Sequence, residues 1–170
     1  MTNSEKLHEI LDKRFSCRSF LDKEIEEEKI NKILDAGILA PTACNFEPER
    51  IIVLKDKDII NKLNDATRYT FNVPLIFVIC YDKNVSWKRR YDNKDHGDID
   101  ASIVATNMVL MATSLDLGTC FVASFDEKKV KDILGLPDNY IVSLMIPTGY
   151  PTEVRPHNKR LDMKDLVIYK

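Results

Sequence analysis

The chain has 170 residues, which is enough for one domain with a substantial core and short for two. Hydrophobic residues make up 44% and charged residues 31%, a balance typical of a globular protein rather than a disordered or fibrous one. The formal net charge of -2 argues against nucleic acid as the main partner, because phosphate binding needs a surplus of Lys and Arg.

The first residues, MTNSEKLHEILDKRF, are charged throughout and lack the apolar stretch of a secretory signal. The longest apolar run, residues 74–80, is far too short to span a bilayer. The four cysteines are scattered and form no CxxC pair, and the three histidines are not spaced for a metal site. These features predict a cytoplasmic protein with reduced thiols, no membrane segment and no metal.

Helical spacing of apolar residues predicts a first helix over residues 4–13, with Ser4 as its N-cap, and a second over residues 26–39 that Pro41 ends. The longest predicted helix covers residues 98–115. It is apolar on nearly every side, so it is expected inside the protein or in a dimer interface, with Gly118 as the left-handed residue after it.

Shorter elements lie between these helices. The run LIFVICY is predicted to be a central strand buried on both faces. The other predicted strands are residues 50–55, 119–123 and 140–146, with a late β-like run at 166–169; short helices are predicted at 57–66 and 127–134. Irregular interleaving of strands and helices indicates α+β or mixed α/β, one sheet with helices on both faces.

The sequence contains no glycine-rich phosphate loop, because the five glycines are too dispersed for G-x-G-x-x-G or a P-loop. A Rossmann-type nicotinamide site is therefore not expected. The segment RFSCRSF instead places Arg14 and Arg18 around Ser16, directly after a helix. Two guanidinium groups and a hydroxyl match the oxygens of a phosphate dianion. Surface arginines in ion pairs with neighbouring acids are the alternative.

A second segment, APTACNFEPER, joins a helix to a strand. Small side chains there would let the backbone approach a flat ligand, and Asn45 offers both a donor and an acceptor. An ordinary turn explains the same composition. The segment SLDLGTCFVASF could present backbone N–H groups to a ring, or form a buried strand; Lys159 and Arg160 could close over a phosphate, or be exposed charges of the tail.

Five segments together resemble the nitroreductase family. RFSCRSF is similar to its arginine-rich first signature and APTACNFEP to its second; residues 98–125 resemble its long helix and following strand. LMIPTGYP resembles its penultimate strand and turn, and HNKRLDMKDLVIYK its closing basic motif. The segments occur in the family's order and cover nearly the whole chain.

The resemblance implies one domain over residues 1–170 with an α+β, three-layer sandwich. A mostly antiparallel central sheet would be flanked by helices, and two chains would form a homodimer with exchanged C-terminal segments. FMN would lie at the interface, with its phosphate held by Arg14, Ser16 and Arg18 and that site completed by Lys159 and Arg160.

The other implied cofactor residues come from three places. The second signature would reach the same FMN from the other subunit, through Pro41, Thr42, Ala43 and Asn45. The backbone around Ala123 and Ser124 would face flavin N5 and O4, and Arg68 would add positive charge near the pyrimidine.

The implied reaction is ping-pong hydride transfer from NADH or NADPH through flavin N5 to a nitroaromatic, quinone or similar small planar electrophile. No side chain is implied as a nucleophile, because the flavin carries the chemistry. The alternative is a flavin-binding module for storage or sensing without significant turnover.

Three features stand outside this pattern. Glu47 occupies a position where the family usually has Gln, and Glu49 one where an aromatic residue often follows Pro. Either carboxylate would alter ligand binding or the flavin, or simply face solvent. The aromatic loop around Trp87 and Tyr91 is a candidate lid or a surface loop, and its Lys88-Arg89-Arg90 triplet is the only local argument for nucleic acid.

Overall fold

The computed structural model describes residues 1–156 and 159–170, and it is built on an antiparallel sheet of four strands in the order β1-β2-β4-β3. The strands are β1 (Glu49–Leu54), β2 (Leu75–Asp82), β3 (Gly118–Thr119) and β4 (Tyr140–Gly149). The helices are α1 (Asn3–Lys13), α2 (Glu27–Ile38), α3 (Lys57–Lys62), α4 (Gly97–Ser114), α5 (Glu127–Leu134) and α6 (Met163–Leu166).

Strand β2 lies at the centre of the molecule and separates two hydrophobic cores. Alternate side chains of a strand point to opposite faces, so Leu75, Phe77 and Ile79 pack with α2 and α4, whereas Ile76 and Val78 pack with α3 and α5. Seven of its eight residues are buried. The predicted strand buried on both faces is therefore confirmed, as is the α+β three-layer arrangement.

Helix α4 is the main element of one outer layer, and eight of its residues are buried. Its small side chains allow close packing: a Cβ added at Gly37 of α2 would lie 3.0 Å from the side chain of Met108 on α4. The expectation of a largely buried long helix is confirmed, although Ile99 remains 45% exposed.

The first helix begins earlier than predicted. Thr2, rather than Ser4, is its N-cap, because Thr2 and Glu5 form a capping box in which each side chain accepts from the backbone N–H of the other. Ser4 has Leu7 three residues later and cannot form this box.

The end of α4 also differs from the prediction. Asp116, with φ 61°, takes the left-handed conformation, and the N–H of Leu117 then donates to the carbonyl of Ala112 at 3.0 Å. Gly118 is instead the first residue of β3. It is needed for close approach, since a Cβ there would lie 2.8 Å from both Cβ and Sγ of Cys17.

The predicted β-like run at 166–169 is wrong. Met163–Leu166 is a single helical turn, and residues 167–170 form no strand. The apolar side chains here are 64–87% exposed at Leu161, Met163, Leu166, Ile168 and Tyr169. A β-rich sequence forms a strand only where it pairs with a sheet edge, and residues 167–170 pair with no strand of the described protomer.

In the part of the chain that the structure describes, no helix has both the length and the apolar character needed to cross a bilayer. All four cysteines are free thiols.

Alkaline pH is predicted to destabilise the fold through Tyr81 on β2. Burial, with the nearby charges of Asp98 and Asp95, raises the pKa of Tyr81 from 10.0 to about 12, so the folded state holds the phenolic proton more tightly than the unfolded chain. Stability should therefore be complete below pH 10 and fall as pH rises toward 12. Urea unfolding from pH 9 to 12 should show a shallower decline in Tyr81→Phe; an identical slope would contradict this role.

Candidate functional site

Residues 14–18 form an extended segment along the edge of the sheet. Arg14 ends α1 with φ -65° and ψ 124°, and Ser16 makes a parallel bridge with Thr119 of β3. The N–H of Cys17 donates to the carbonyl of Thr119 at 2.8 Å. Alternate residues of an extended chain share a face, so Arg14, Ser16 and Arg18 line one side while Cys17 is buried on the other.

The positive charges of both arginines influence the buried Cys120 thiol. Burial raises the pKa of the Cys120 thiol, and the positive charges of Arg18 and Arg14 oppose that rise. Both arginines therefore act on the same sulfur atom. Neither forms an ion pair with another described residue, and Arg18 donates only a long bond to the carbonyl of Ser16 at 3.4 Å. Among the described residues, Arg14 and Arg18 therefore do not form the ion pairs with neighbouring acids that were the alternative prediction.

Arg68 and Ser124 line one open cavity of about 650 Å³. The two segments that carry them are tied together, because the Thr67 hydroxyl donates to the carbonyl of Ser124 at 2.8 Å and the N–H of Asp126 donates to Ala66 at 2.9 Å. Ala123 is exposed immediately before Ser124. The structure thus brings these three predicted residues together.

A row of aromatic side chains runs between the cavity that contains Arg68 and the cavity that contains Arg18. A second cavity of about 460 Å³ is lined by Arg18, Phe20, Phe71 and Asn72 among others. Ring centroids are 6.3 Å apart between Phe20 and Phe71 and 6.1 Å apart between Tyr69 and Phe71. Sequence analysis missed Phe71 and Asn72. Their left-handed φ values of 57° and 52° mark an unusual turn, and such turns cluster at binding sites.

Residues 42–47, hereafter the 42–47 turn, follow α2 and carry most of the second predicted signature. Pro41 precedes the turn and is exposed. The N–H of Ala43 donates to Oδ1 of Asp100 on α4 at 3.0 Å, and the Asn45 amide donates to Glu47 at 3.2 Å. Thr42 accepts from the N–H of Glu47 at 3.1 Å through its hydroxyl.

Within one protomer, the 42–47 turn lies far from Arg14 and Arg18. The turn contacts Asp100 in the first turn of α4, whereas residues 14–18 pair with β3, which begins just beyond the last turn. At about 1.5 Å per residue, Asp100 and Leu115 are about 22 Å apart along the helix. A single chain does not bring the two signatures to one ligand.

Lys159 and Arg160 are exposed, and no described contact fixes either side chain. The first two residues of their motif, at positions 157 and 158, lie outside the described residues. Their assignment to the phosphate site stays a prediction.

The two unusual carboxylates differ in environment. Glu47 accepts from Asn45, so it occupies part of the amide that was predicted to bind a ligand. Glu49 is half-buried on β1, and burial raises the pKa of its carboxyl, with smaller contributions from Glu47 and Asp100. One oxygen of Glu49 is buried without a hydrogen-bond partner.

The basic triplet in the aromatic loop is largely neutralised by acids. Arg89 pairs with Asp92, and Nζ of Lys88 lies 3.7 Å from Asp95. Trp87 packs edge-on against His96, with ring centroids 4.8 Å apart, whereas Tyr91 is 95% exposed. The loop precedes α4 and lies at the 42–47 end of that helix. A lid role stays a prediction.

The chain belongs to the nitroreductase family, whose model matches residues 11–74 and 69–150. The family predicted from the five sequence segments is therefore confirmed, and with it the class of nitroreductase-like oxidoreductases.

Individual relatives support the same assignment. A protein of Archaeoglobus fulgidus, provisionally named NADH dehydrogenase/NAD(P)H nitroreductase, is 32% identical over 149 residues, covering 82% of each chain. A nitroreductase family protein of Clostridium difficile 630 has a TM-score of 0.90 at 36% identity and covers 95% of this chain and 96% of its own. An FMN-dependent nitroreductase of Clostridium difficile R20291 has a TM-score of 0.81 at 30% identity, covering 95% and 98%.

Gly118→Ala is predicted to lower stability by about 1–3 kcal/mol, because its new methyl would overlap the side chain of Cys17. Cys17→Gly removes both colliding atoms, so the same Ala should cost much less in that background. Equal losses in both backgrounds, measured by urea unfolding, would show that this contact does not limit residue 118.

Proposed function

We propose that the chain is an FMN-dependent oxidoreductase, a single FMN-binding domain that transfers hydride from NADH or NADPH to a nitroaromatic, quinone or similar planar electrophile. Membership of the family supports the class. The choice of FMN as cofactor is supported by the relative named as FMN-dependent. The choice of NADH or NADPH as reductant is supported by the relative named as an NAD(P)H nitroreductase.

One observation carries the proposal: Arg14, Ser16 and Arg18 are alternate residues of an extended segment paired with β3, and alternate residues of such a segment share a face. A phosphate dianion accepts several charge-assisted hydrogen bonds, and paired guanidinium groups neutralise it. Neither arginine uses its charge in a described ion pair. Lys159 and Arg160 would add positive charge to the same phosphate.

The residues beyond the phosphate also fit an elongated flat ligand. Arg68 and Ser124 line the cavity of about 650 Å³, a volume in the range of cofactor sites. FMN, when bound, supplies the hydride chemistry. Arg68 would provide positive charge near the pyrimidine, and the backbone at Ala123 and Ser124 would provide hydrogen bonds to the ring. No side chain is needed as a nucleophile.

A homodimer would unite the two signatures. The 42–47 turn contacts Asp100 and residues 14–18 pair with β3 beyond the other end of α4, a rise of about 22 Å along the helix, so a second chain would be needed to bring one turn to the other chain's arginines. Exposed apolar side chains support such an interface: Leu7 and Leu11 on α1 are 54% and 46% exposed, and Ile38 at the end of α2 is 70% exposed. The exposed C-terminal segment would embrace the partner.

Arg14→Ala together with Arg18→Ala should release FMN, because the two charged donors to the phosphate are lost. Two charge-assisted bonds at about 1.5–3 kcal/mol each correspond to at least a hundredfold weaker binding. Fluorescence titration of the apoprotein with FMN measures this. Lys32→Ala with Lys128→Ala removes the same charge from two exposed ion pairs and should change nothing. Unchanged FMN affinity in the arginine variant would refute the phosphate site.

Leu166→Asp together with Ile168→Asp should weaken dimerisation, because both apolar side chains are exposed in the protomer and would be buried by the partner. Analytical ultracentrifugation should show wild-type dimers and a shift toward monomer in this variant. Lys128→Asp makes the same change in charge outside the tail and should stay dimeric. A dimer that is unaffected by the tail substitutions would contradict the proposal that the subunits exchange their C-terminal segments.

Turnover separates an enzyme from a flavin store. The holoprotein, under anaerobic conditions with NADH or NADPH, should oxidise the nicotinamide continuously only when a nitroaromatic or quinone is supplied. Bleaching of the flavin without repeated turnover would favour the storage or sensing module.

A further inference from the structure

The 42–47 turn has a backbone that its sequence does not favour. Cys44, Asn45 and Glu47 have φ values of 54°, 55° and 50°, in the left-handed region that non-glycine residues rarely adopt. Internal bonds close the turn, including one from the N–H of Asn45 to the carbonyl of Thr42 at 3.0 Å. These bonds set its shape and leave its position on the protein body to other contacts.

Asp100 supplies such a contact. Its carboxylate is 2% exposed in the first turn of α4, and Oδ1 accepts from the N–H of Ala43 at 3.0 Å. The second oxygen, Oδ2, is buried and has no hydrogen-bond partner. At the other end of the turn, Nη1 of Arg50 donates to the carbonyl of Glu47 at 3.1 Å. The turn is therefore held at both ends.

A carboxylate in this position is costly unless its hydrogen bonds are used. Burying a charged group with one oxygen unpaired opposes folding. The neighbouring Asp98 remains exposed and accepts from the hydroxyl of Ser143 at 2.7 Å. The described hydrogen bond of the Asp100 side chain goes to the turn, and the positive end of the α4 dipole favours an anion there.

We propose that Asp100 is a positioning residue that presents Thr42, Ala43 and Asn45 to the FMN of the partner subunit. This inference rests on the proposed function. Asp100 touches neither cofactor nor substrate; it acts through the N–H of Ala43. When the turn occupies its binding position for only part of the time, the apparent FMN affinity falls by that fraction.

The first experiment titrates FMN into apoprotein of three variants. Asp100→Ala removes the acceptor, and binding should weaken about tenfold or more, as expected for one lost bond to a charged group. Asp100→Asn keeps an oxygen acceptor and should stay within about threefold of wild type, since a neutral bond replaces a charged one. Asp98→Ala is the matched control and should bind FMN normally. Equal affinity for Asp100→Ala and Asp98→Ala overturns the proposal.

A second experiment tests whether the turn acts across the subunit boundary. A mixed dimer is prepared from one chain with Arg14→Ala and Arg18→Ala and a differently tagged chain with Asp100→Ala. One of its two sites then combines intact arginines with an intact turn. Recovery of one tightly bound FMN per mixed dimer supports the proposal. Failure to recover any tight site means that the turn serves its own subunit, and overturns it.

Hydrogen exchange in the absence of FMN separates this inference from the proposed function. The amide of Ala43 should exchange faster in Asp100→Ala than in wild type or Asp98→Ala; unchanged exchange refutes the tether. If wild-type protein does not bind FMN, the proposed function is refuted. The presentation of the turn to FMN is then refuted as well, even where the hydrogen bond between Asp100 and Ala43 is verified.

Should Asp100→Ala not fold, Ala43→Pro removes the donor instead. Thr42 is already extended at φ -124° and ψ 158°, as a residue before Pro requires, and weaker FMN binding is again expected.

Discussion

The length and burial of α4 constrain the whole site. This helix fills one outer layer, with Val104, Ala105 and Met108 fully enclosed against α2 and the sheet. It cannot bend or shorten without opening a close-packed core. The 42–47 turn is bonded to Asp100 in its first turn, and residues 14–18 pair with β3, which follows its last turn; α4 rises by about 22 Å between Asp100 and Leu115. In the proposed enzyme, a site that uses both segments would therefore be assembled from two chains, and dimerisation would be a condition for binding the cofactor.

The same constraint explains why so much apolar surface remains exposed. Helix α1 has no buried residue, although it is amphipathic and lies beside α4. The C-terminal segment carries Ile168 at 82% and Tyr169 at 87% exposure. Surfaces of this kind mark interaction sites in soluble proteins. One of these surfaces lies on α1, which contacts α4, as an interface formed beside that helix would require.

Local sequence patterns predicted the core well and the ends of elements less well. The run LIFVICY defines β2 by itself, because continuous apolar residues of high β-propensity suit a strand buried on both faces. The cap at Thr2 and the left-handed Asp116 were missed, since both depend on backbone hydrogen bonds that the spacing of apolar residues does not report. The run 166–169 failed for a different reason: strand formation depends on a pairing partner distant in sequence.

The candidate site was predictable only as separate pieces. RFSCRSF indicated a phosphate site, but its i, i+4 spacing does not reveal that the segment is extended and paired with Thr119, which is what puts both arginines on one face. Phe71 and Asn72 left no recognisable motif, because their contribution arises from a turn. In the sequence, Asp100 looks like an ordinary acidic residue in the first turn of a helix, and only the structure shows its hydrogen bond to Ala43.

The arginines do not serve to activate a neighbouring thiol. Cys17 and Cys120 lie beside them, at 2% and 5% exposure, and nearby positive charge would normally favour a thiolate. Burial nevertheless dominates and raises the pKa of both thiols; the opposing charges of Arg18 and Arg14 at Cys120, and of Arg155 at Cys17, do not overcome the loss of water around sulfur. Neutral thiols are poor nucleophiles and take up no positive charge. Neither guanidinium group forms an ion pair with a described residue, which suits the proposal that they bind a phosphate.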